Sequence, residues 1–400
     1  MDSFVHHQRV AFIQEAIRST EGLDGWLFYD FRGSDPLAYR ILLLDPGQHV
    51  TRRWYYWIPA SGPPIKLLHR IEPHVLDKLP GNTHSYVSWE QQQTLLALLL
   101  RGYHRIAMQY SPLNAVPYVS RVDAGTIELI RNMGIEVVTS ADLVQQFEAV
   151  WTDEQLESHR YAMTALRSIV DDAFEYIGSA LAKSRSLTEH DVQQFLLARI
   201  HDAEMVTSGA PIVAVDAHSA DPHYSPTASS AIPITRDNLI LMDLWAKQKK
   251  PGAVYGDITW TCYTSNHVPI RQARIFEIVR RGRDAALAFI RDEVTRGRFP
   301  SGWEVDDVCR TVIRAAGYSD YFLHRTGHSI GEEVHGNGAN LDNLETRDER
   351  RLLPRTCFSI EPGIYLPGEF GIRSELDVYL ADREVVTYGT PLQTAIVPLF

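Results

Sequence analysis

The chain has 400 residues, is 44% hydrophobic and carries a formal net charge of -11. That length exceeds what one core usually organises, so two domains are expected, and the acidic balance excludes a surface built to neutralise phosphates, so no nucleic-acid partner is expected. The three cysteines, Cys262, Cys309 and Cys357, lack CxxC spacing, which excludes a disulfide framework or a thiolate zinc site and points to a reducing cytoplasm. The opening MDSFVHHQRV has no apolar run behind basic residues, and Leu95 to Leu100 falls far short of the roughly 20 apolar residues that span a bilayer. No membrane role is expected.

Along the first ~140 residues, strand-like and helix-like patterns alternate, as in an α/β domain. GWLFYD (25–30) predicts a strand; RRWYYWIP and IKLLHR around Ala60 to Pro64 predict a hairpin; RIAMQY and IEVV enclose a predicted helix at 122–131. No catalytic constellation is visible there, and His6, His7 and the scattered carboxylates read as solvated surface. A boundary near Val150 divides the chain into an N-terminal α/β domain (1–150) and a second domain (151–400). Thr152-Asp153-Glu154-Gln155 is a capping box for a long helix with Leu156, Met163, Leu166, Val170, Phe174 and Ile177 on one side. A second helix starts at Thr188-x-x-Asp191, and strand-like segments follow, ending in NLILMDLWA and AVYGDITWTCY. The order then repeats: helices at about 269–293 and 304–316, then CFSIEPGIYL and FGIRSELDVYL. Two helix-helix-strand units predict an internally duplicated domain.

Both copies end in acids. Asp243 lies in an apolar run, Asp257 follows Tyr255-Gly256, Glu361 follows Phe358-Ser359-Ile360, and Glu375 lies in IRSELDVYL. Alternation in the last segment puts Arg373, Glu375, Asp377 and Tyr379 on one face. A carboxylate among core strand residues needs a partner or a metal. Taken singly, Asp257 reads equally well as a turn acid. His324, His328 and His335 in HRTGHSIGEEVHG add three imidazoles within twelve residues. Four acids and an imidazole make an oxygen-rich site suited to two divalent ions, Mn²⁺, Co²⁺ or Zn²⁺, and to hydrolysis by a shared water.

These segments resemble the creatinase and Xaa-Pro peptidase group, peptidase family M24. MDLWA and YGDITWT are similar to its DLG and SDITRT segments, HRTGHSIGEEVH to HxxGHGxGxxxH, and IEPGIY with GIRSELDV to EPGIY and GxRxED. The resemblance covers roughly 152–400 and implies a pita-bread catalytic domain behind a smaller α/β creatinase-like domain. It implies metal ligands at Asp243, Asp257, His328, Glu361 and Glu375, with Asp257 and Glu375 bridging and Glu361 also the general base. His335 and His223 would assist catalysis, and His324 and Arg373 would contact substrate. The implied substrate is a small peptide with proline second, cleaved as by a dipeptidase (prolidase) or, alternatively, an aminopeptidase acting on longer Xaa-Pro peptides; a metal-free binding protein is the remaining class. Arg325 or Arg347 is a candidate anchor for a substrate carboxylate. A homodimer is implied too, and the aromatics of RRWYYWIP read as core rather than as its contact.

Five departures mark this chain. Asp243 and Asp257 stand fourteen residues apart, so 247–253 is expected to form a lengthened hairpin loop. Trp260 stands for an Arg, Ser329 for a Gly and Leu376 for an Asp. A tyrosine that relatives have upstream of the pocket histidine is absent from Thr207 to Pro211.

Overall fold

The computed structural model describes residues 2–400. The chain divides into two compact units, Met1–Glu148 and Ala149–Phe400.

The first unit runs α1 (Asp2–Arg18), β1 (Gly25–Asp30), α2 (Pro36–Ile41), β2 (Trp54–Pro59), β3 (Ile65–His69), β4 (Asn82–Tyr86), α3 (Trp89–Leu99), β5 (Arg105–Met108), α4 (Ala124–Arg131), β6 (Glu136–Thr139) and α5 (Ala141–Glu148). Its sheet has the order β4-β3-β2-β1-β5-β6, antiparallel at β1/β2 and β2/β3 and parallel elsewhere. All six residues of β2 are buried. Alternation explains this: Trp54, Tyr56 and Ile58 enter the cluster of Val10, Ile13 and Ile17, while Tyr55 and Trp57 enter that of Leu96, Ile127 and Ile130. The aromatics of RRWYYWIP are therefore core. The expected solvation of this half's polar residues needs correction. His6 is only 5% exposed, with Nε2 facing the Leu43 carbonyl at 3.3 Å, and Asp30 is buried where it accepts from the amides of Gly33 and Asp35 and from the Tyr39 hydroxyl.

The second unit opens on α6 (Asp153–Ala182) and α7 (Glu189–Asp202), each started by the expected capping box. Then come β7 (Met205–Val206), β8 (Ile212–Val215), β9 (Leu239–Gln248) and β10 (Gly256–Tyr263). The second half repeats the plan with α8 (Ile270–Thr295), α9 (Gly302–Ala315), β11 (Ser329–Ile330), β12 (Cys357–Ile360), β13 (Gly363–Leu366), β14 (Phe370–Arg373), β15 (Leu376–Leu380), β16 (Val385–Thr387) and β17 (Val397–Pro398). Leu166, Val170 and Ile177 of α6 and Val192 and Leu196 of α7 bury against Ile240, Met242 and Ile258 of the β9–β10 pair. In the second half, Ile275, Val279 and Ile290 of α8 and Val305 and Ile313 of α9 bury against Phe358, Ile360 and Val378 of the β12–β15 pair. Each half is thus a helix pair laid on an antiparallel strand pair.

Two details differ from the sequence expectation. Lys247 and Gln248 do not leave the sheet; they continue β9 by pairing with Val206 and Met205, and the reversal turns at Gly252, whose φ of +75° suits a residue without Cβ. FGIRSELDVYL is also two strands rather than one. β14 pairs with β13, β15 pairs with β12 and β16, and Ser374 and Glu375 lie between them, fixed by a bond of 2.7 Å from the buried Arg283 guanidinium to the Ser374 hydroxyl.

Candidate metal centre

The β9–β10 register pairs Asp243 with Thr259 and Trp245 with Asp257, so strand alternation puts all four on one face. Met242, Leu244, Ile258 and Trp260 take the other, toward the helices. Trp260, an apparent departure, is thus a core residue: the Arg167 guanidinium lies 3.8 Å over its ring and Phe174 meets it edge-on.

The second half brings up the remaining donors. His328 immediately precedes β11, Glu361 follows β12 and Glu375 precedes β15. Gly327 is obligatory beside His328, because a Cβ there would fall 1.9 Å from the Ser359 carbonyl oxygen. His328 Nε2 lies 3.6 Å from Asp257 Oδ2 and 3.3 Å from Glu361 Oε1. Asp257, His328 and Glu375 each offer a donor atom within 4.8 Å of the other two. The Thr259 hydroxyl donates to Glu375 at 2.6 Å and accepts from Arg373 Nε at 3.0 Å. Arg373 also pairs with Asp243 and donates to the Tyr365 hydroxyl at 3.0 Å. Asp257, His328 and Glu375 are thus brought together, Glu361 lies beside His328, and Asp243 is joined to them through Arg373 and Thr259, contacts that link the two halves of the domain.

Burial raises Asp257 well above the usual carboxylate range, and the negative charges of Glu375, Asp243 and Asp377 add to it. Glu375 is likewise raised well above its range by burial and by Glu361 and Asp243. Asp243 is raised by burial, against the pull of Arg373. Glu361 goes the other way: burial pushes it up, but His328, His324, Arg373 and Arg325 together outweigh burial and hold it below its ordinary value. Burial lowers His328 to about 3 and His324 to about 4, so both imidazoles are neutral.

The donor set fits divalent metal. Asp243 Oδ1 and Asp257 Oδ1 are buried with no hydrogen-bond partner, a costly state that a cation relieves. His328 Nδ1 faces the Ser329 carbonyl at 3.2 Å, which places the ring proton there and leaves Nε2 bare toward the acids.

The other expected residues separate. His335 reaches solvent and packs edge-on against His328, ring centroids 4.2 Å apart; its basicity is lowered by burial and by the charges of Arg325 and His223. His223 is exposed, on a loop whose anchor is the buried Glu189 carboxylate, which accepts from Val215 N, Ile232 N, the Tyr224 hydroxyl and His218 Nδ1. His324 faces inward, with Nδ1 donating to the Arg325 carbonyl and Nε2 accepting from the Tyr365 hydroxyl, both at 2.7 Å. Arg373, expected to touch substrate, is 3% exposed and spends its guanidinium on Asp243, Thr259 and Tyr365. Tyr365, Thr259 and Asp377 were assigned no role from the sequence, although all three lie in the motifs quoted for it.

A model of metallopeptidase family M24 matches residues 160–382, more than half of the chain. The chain belongs to family M24. This M24 protein is 27% identical over 241 residues to a Xaa-Pro dipeptidase of Lactobacillus delbrueckii subsp. lactis, a match covering 59% of this chain and 58% of that protein. It is 25% identical over 355 residues to the probable dipeptidase PepE of Mycobacterium tuberculosis, covering 86% and 85%. Among solved structures, dipeptidase PepE from Mycobacterium ulcerans aligns over 100% of this chain and 99% of its own with a TM-score of 0.69 at 24% identity. The family and the α/β pita-bread fold expected from the sequence are thereby borne out, and with them a metallopeptidase dependent on divalent metal.

Proposed function

We propose that this M24 metallopeptidase hydrolyses Xaa-Pro dipeptides with two divalent ions, Mn²⁺, Zn²⁺ or Co²⁺, held by Asp243, Asp257, His328, Glu361 and Glu375. The observation that carries the reading is the approach of donor atoms of Asp257, His328 and Glu375 to within 4.8 Å of one another, beside the orphaned Oδ1 atoms of Asp243 and Asp257. When bound, the ions lower the pKa of a shared water and polarise the scissile carbonyl. Asp257 and Glu375 would help to hold both. Asp243 is held ready by Arg373, and neutral His328 offers its lone pair without first losing a proton. Glu361, the carboxylate kept below its ordinary pKa, takes the proton of the attacking water and passes it to the departing nitrogen. His335 and His223 donate to the oxygen on which charge develops. His324, through Tyr365, steadies Arg373.

The relatives named dipeptidase support the dipeptide over longer substrates. With Mn²⁺, Zn²⁺ or Co²⁺ added, an Xaa-Pro dipeptide should be cleaved faster than the matching Xaa-Pro-Xaa tripeptide; the reverse order makes the protein an Xaa-Pro aminopeptidase. The same reading makes it a cytoplasmic homodimer. Three buried, unbridged cysteines support the compartment, and the exposed Ile71, Trp89 and Leu113 support a second copy. Light scattering on the purified protein tests the dimer, and a single-chain mass would sink it.

No described helix is long and apolar enough to cross a membrane.

A further inference from the structure

Trp245 occupies a position that the mechanism does not use. It is the direct cross-strand neighbour of Asp257 and follows Asp243 on the same face, where paired Cβ atoms lie about 4.5–5.5 Å apart. Its indole is half-buried, and Nε1 donates to the Ser208 hydroxyl at 3.1 Å. Gly209 accommodates the ring: a Cβ at Gly209 would fall 3.1 Å from the indole Cζ2. The ring packs against the apolar cluster of Ile212, Ala214 and Leu241 beside Tyr224, the residue after His223. It also packs against the cluster that holds Tyr255 and Val334, the latter next to His335. Trp245 therefore stands between Asp257 and the two loops that carry the solvent-reaching histidines.

The charges around it orient a dipeptide. A free dipeptide is a zwitterion, and its scissile carbonyl has to reach the centre that Asp243 and Asp257 help to build, which sets its first residue beside them. Arg325, whose positive charge acts on Glu361, His328 and His335, complements its carboxylate end. The side chain of the first residue then lies against whatever borders the two aspartates. We propose that Trp245 is a specificity-determining residue whose indole, fixed by Ser208 and Gly209, walls off the first-residue pocket and selects dipeptides with a small apolar residue before proline. This rests on the Xaa-Pro reading above and deepens it.

The test is the ratio of kcat/KM for Phe-Pro to that for Gly-Pro, measured within each metal-loaded protein. Wild type should favour Gly-Pro. Trp245→Ala should move the ratio toward Phe-Pro by about tenfold or more, the scale at which apolar pockets discriminate, and Trp245→Phe should fall between. Gly209→Ala, which displaces the ring by a few tenths of an ångström without removing it, should also move the ratio, and it carries the test if Trp245→Ala does not fold. Ratios unchanged within twofold in every folded variant overturn the assignment, as does a change confined to substrates varied at the second residue. Wild type that cleaves no Xaa-Pro dipeptide overturns the Xaa-Pro reading and this inference together; cleavage with unaltered ratios overturns this inference alone.

Discussion

Asp257 donates its backbone N–H to the carboxylate of Asp377 at 2.9 Å. Asp377 is fully buried, its Oδ1 has no partner, and its Oδ2 lies 3.8 Å from His159 Nε2. A residue outside the proposed ligand set thus fixes the strand position of one of its members. Asp377→Ala leaves that amide unsatisfied and should weaken metal affinity by about 10–100-fold, the usual cost of losing a group that orients a ligand. Asp377→Asn retains an acceptor oxygen and should lose less. Competition with a chelator measures both, and wild-type affinity in the alanine variant would refute the role.

Arg373 is the cation on which the acid cluster leans before metal arrives. Removing one partner of a buried pair generally costs about 3–5 kcal/mol, so Arg373→Met should lower the stability of metal-free protein by that order in chemical denaturation. Arg373→Lys should rescue little, because an ammonium cannot serve Asp243, Thr259 and Tyr365 together. Metal should narrow the deficit, since bound cations then neutralise Asp243.

Metal itself should act as a stabiliser. Asp257 and Glu375 are acids forced upward in pKa by burial first and by neighbouring carboxylates next, and binding to the folded state alone adds about 2.7 kcal/mol when the free ion is at 100 times its Kd. Dialysis against chelator should lower Tm, and readdition should restore it. His328→Ala and Glu361→Ala should abolish turnover while keeping a cooperative melt; wild-type rates in either would dismiss the centre.

Acid sensitivity should trace in part to His159, remote from solvent. Burial lowers its pKa from 6.5 to about 4. Below about 6.5 the unfolded chain takes a proton that the folded chain refuses, so stability falls as pH drops from 6.5 toward 4, by up to about 3 kcal/mol for this one group. The raised carboxylates work in the opposite direction, because protonating them relieves burial. Comparing wild type with His159→Gln isolates the histidine: the variant should lose less stability between pH 7 and pH 5, and parallel curves would contradict the assignment.

Much of this was legible in the sequence. Capping boxes at Thr152 and Thr188 marked helix starts because their signals are local. The alternation of Arg373, Glu375 and Asp377 survived the break between β14 and β15, because extended backbone keeps its side-chain period even where pairing changes partner. Long-range placement was not legible. Nothing local shows that Arg373 meets Asp243 and not substrate, that Tyr365 closes the gap to His324, or that His159 lies behind Asp377. Nor did composition reveal that His6 is buried beneath the Leu43 carbonyl.

The five proposed donors are unequally divided: Asp243 and Asp257 come from the first half of the second unit, and His328, Glu361 and Glu375 from the second. Neither half can function or drift alone, so any insertion or deletion tolerated in one must preserve its fit to the other. Expressed as separate fragments cut between Tyr263 and Ile270, each would be silent, and regained turnover would report their reassembly.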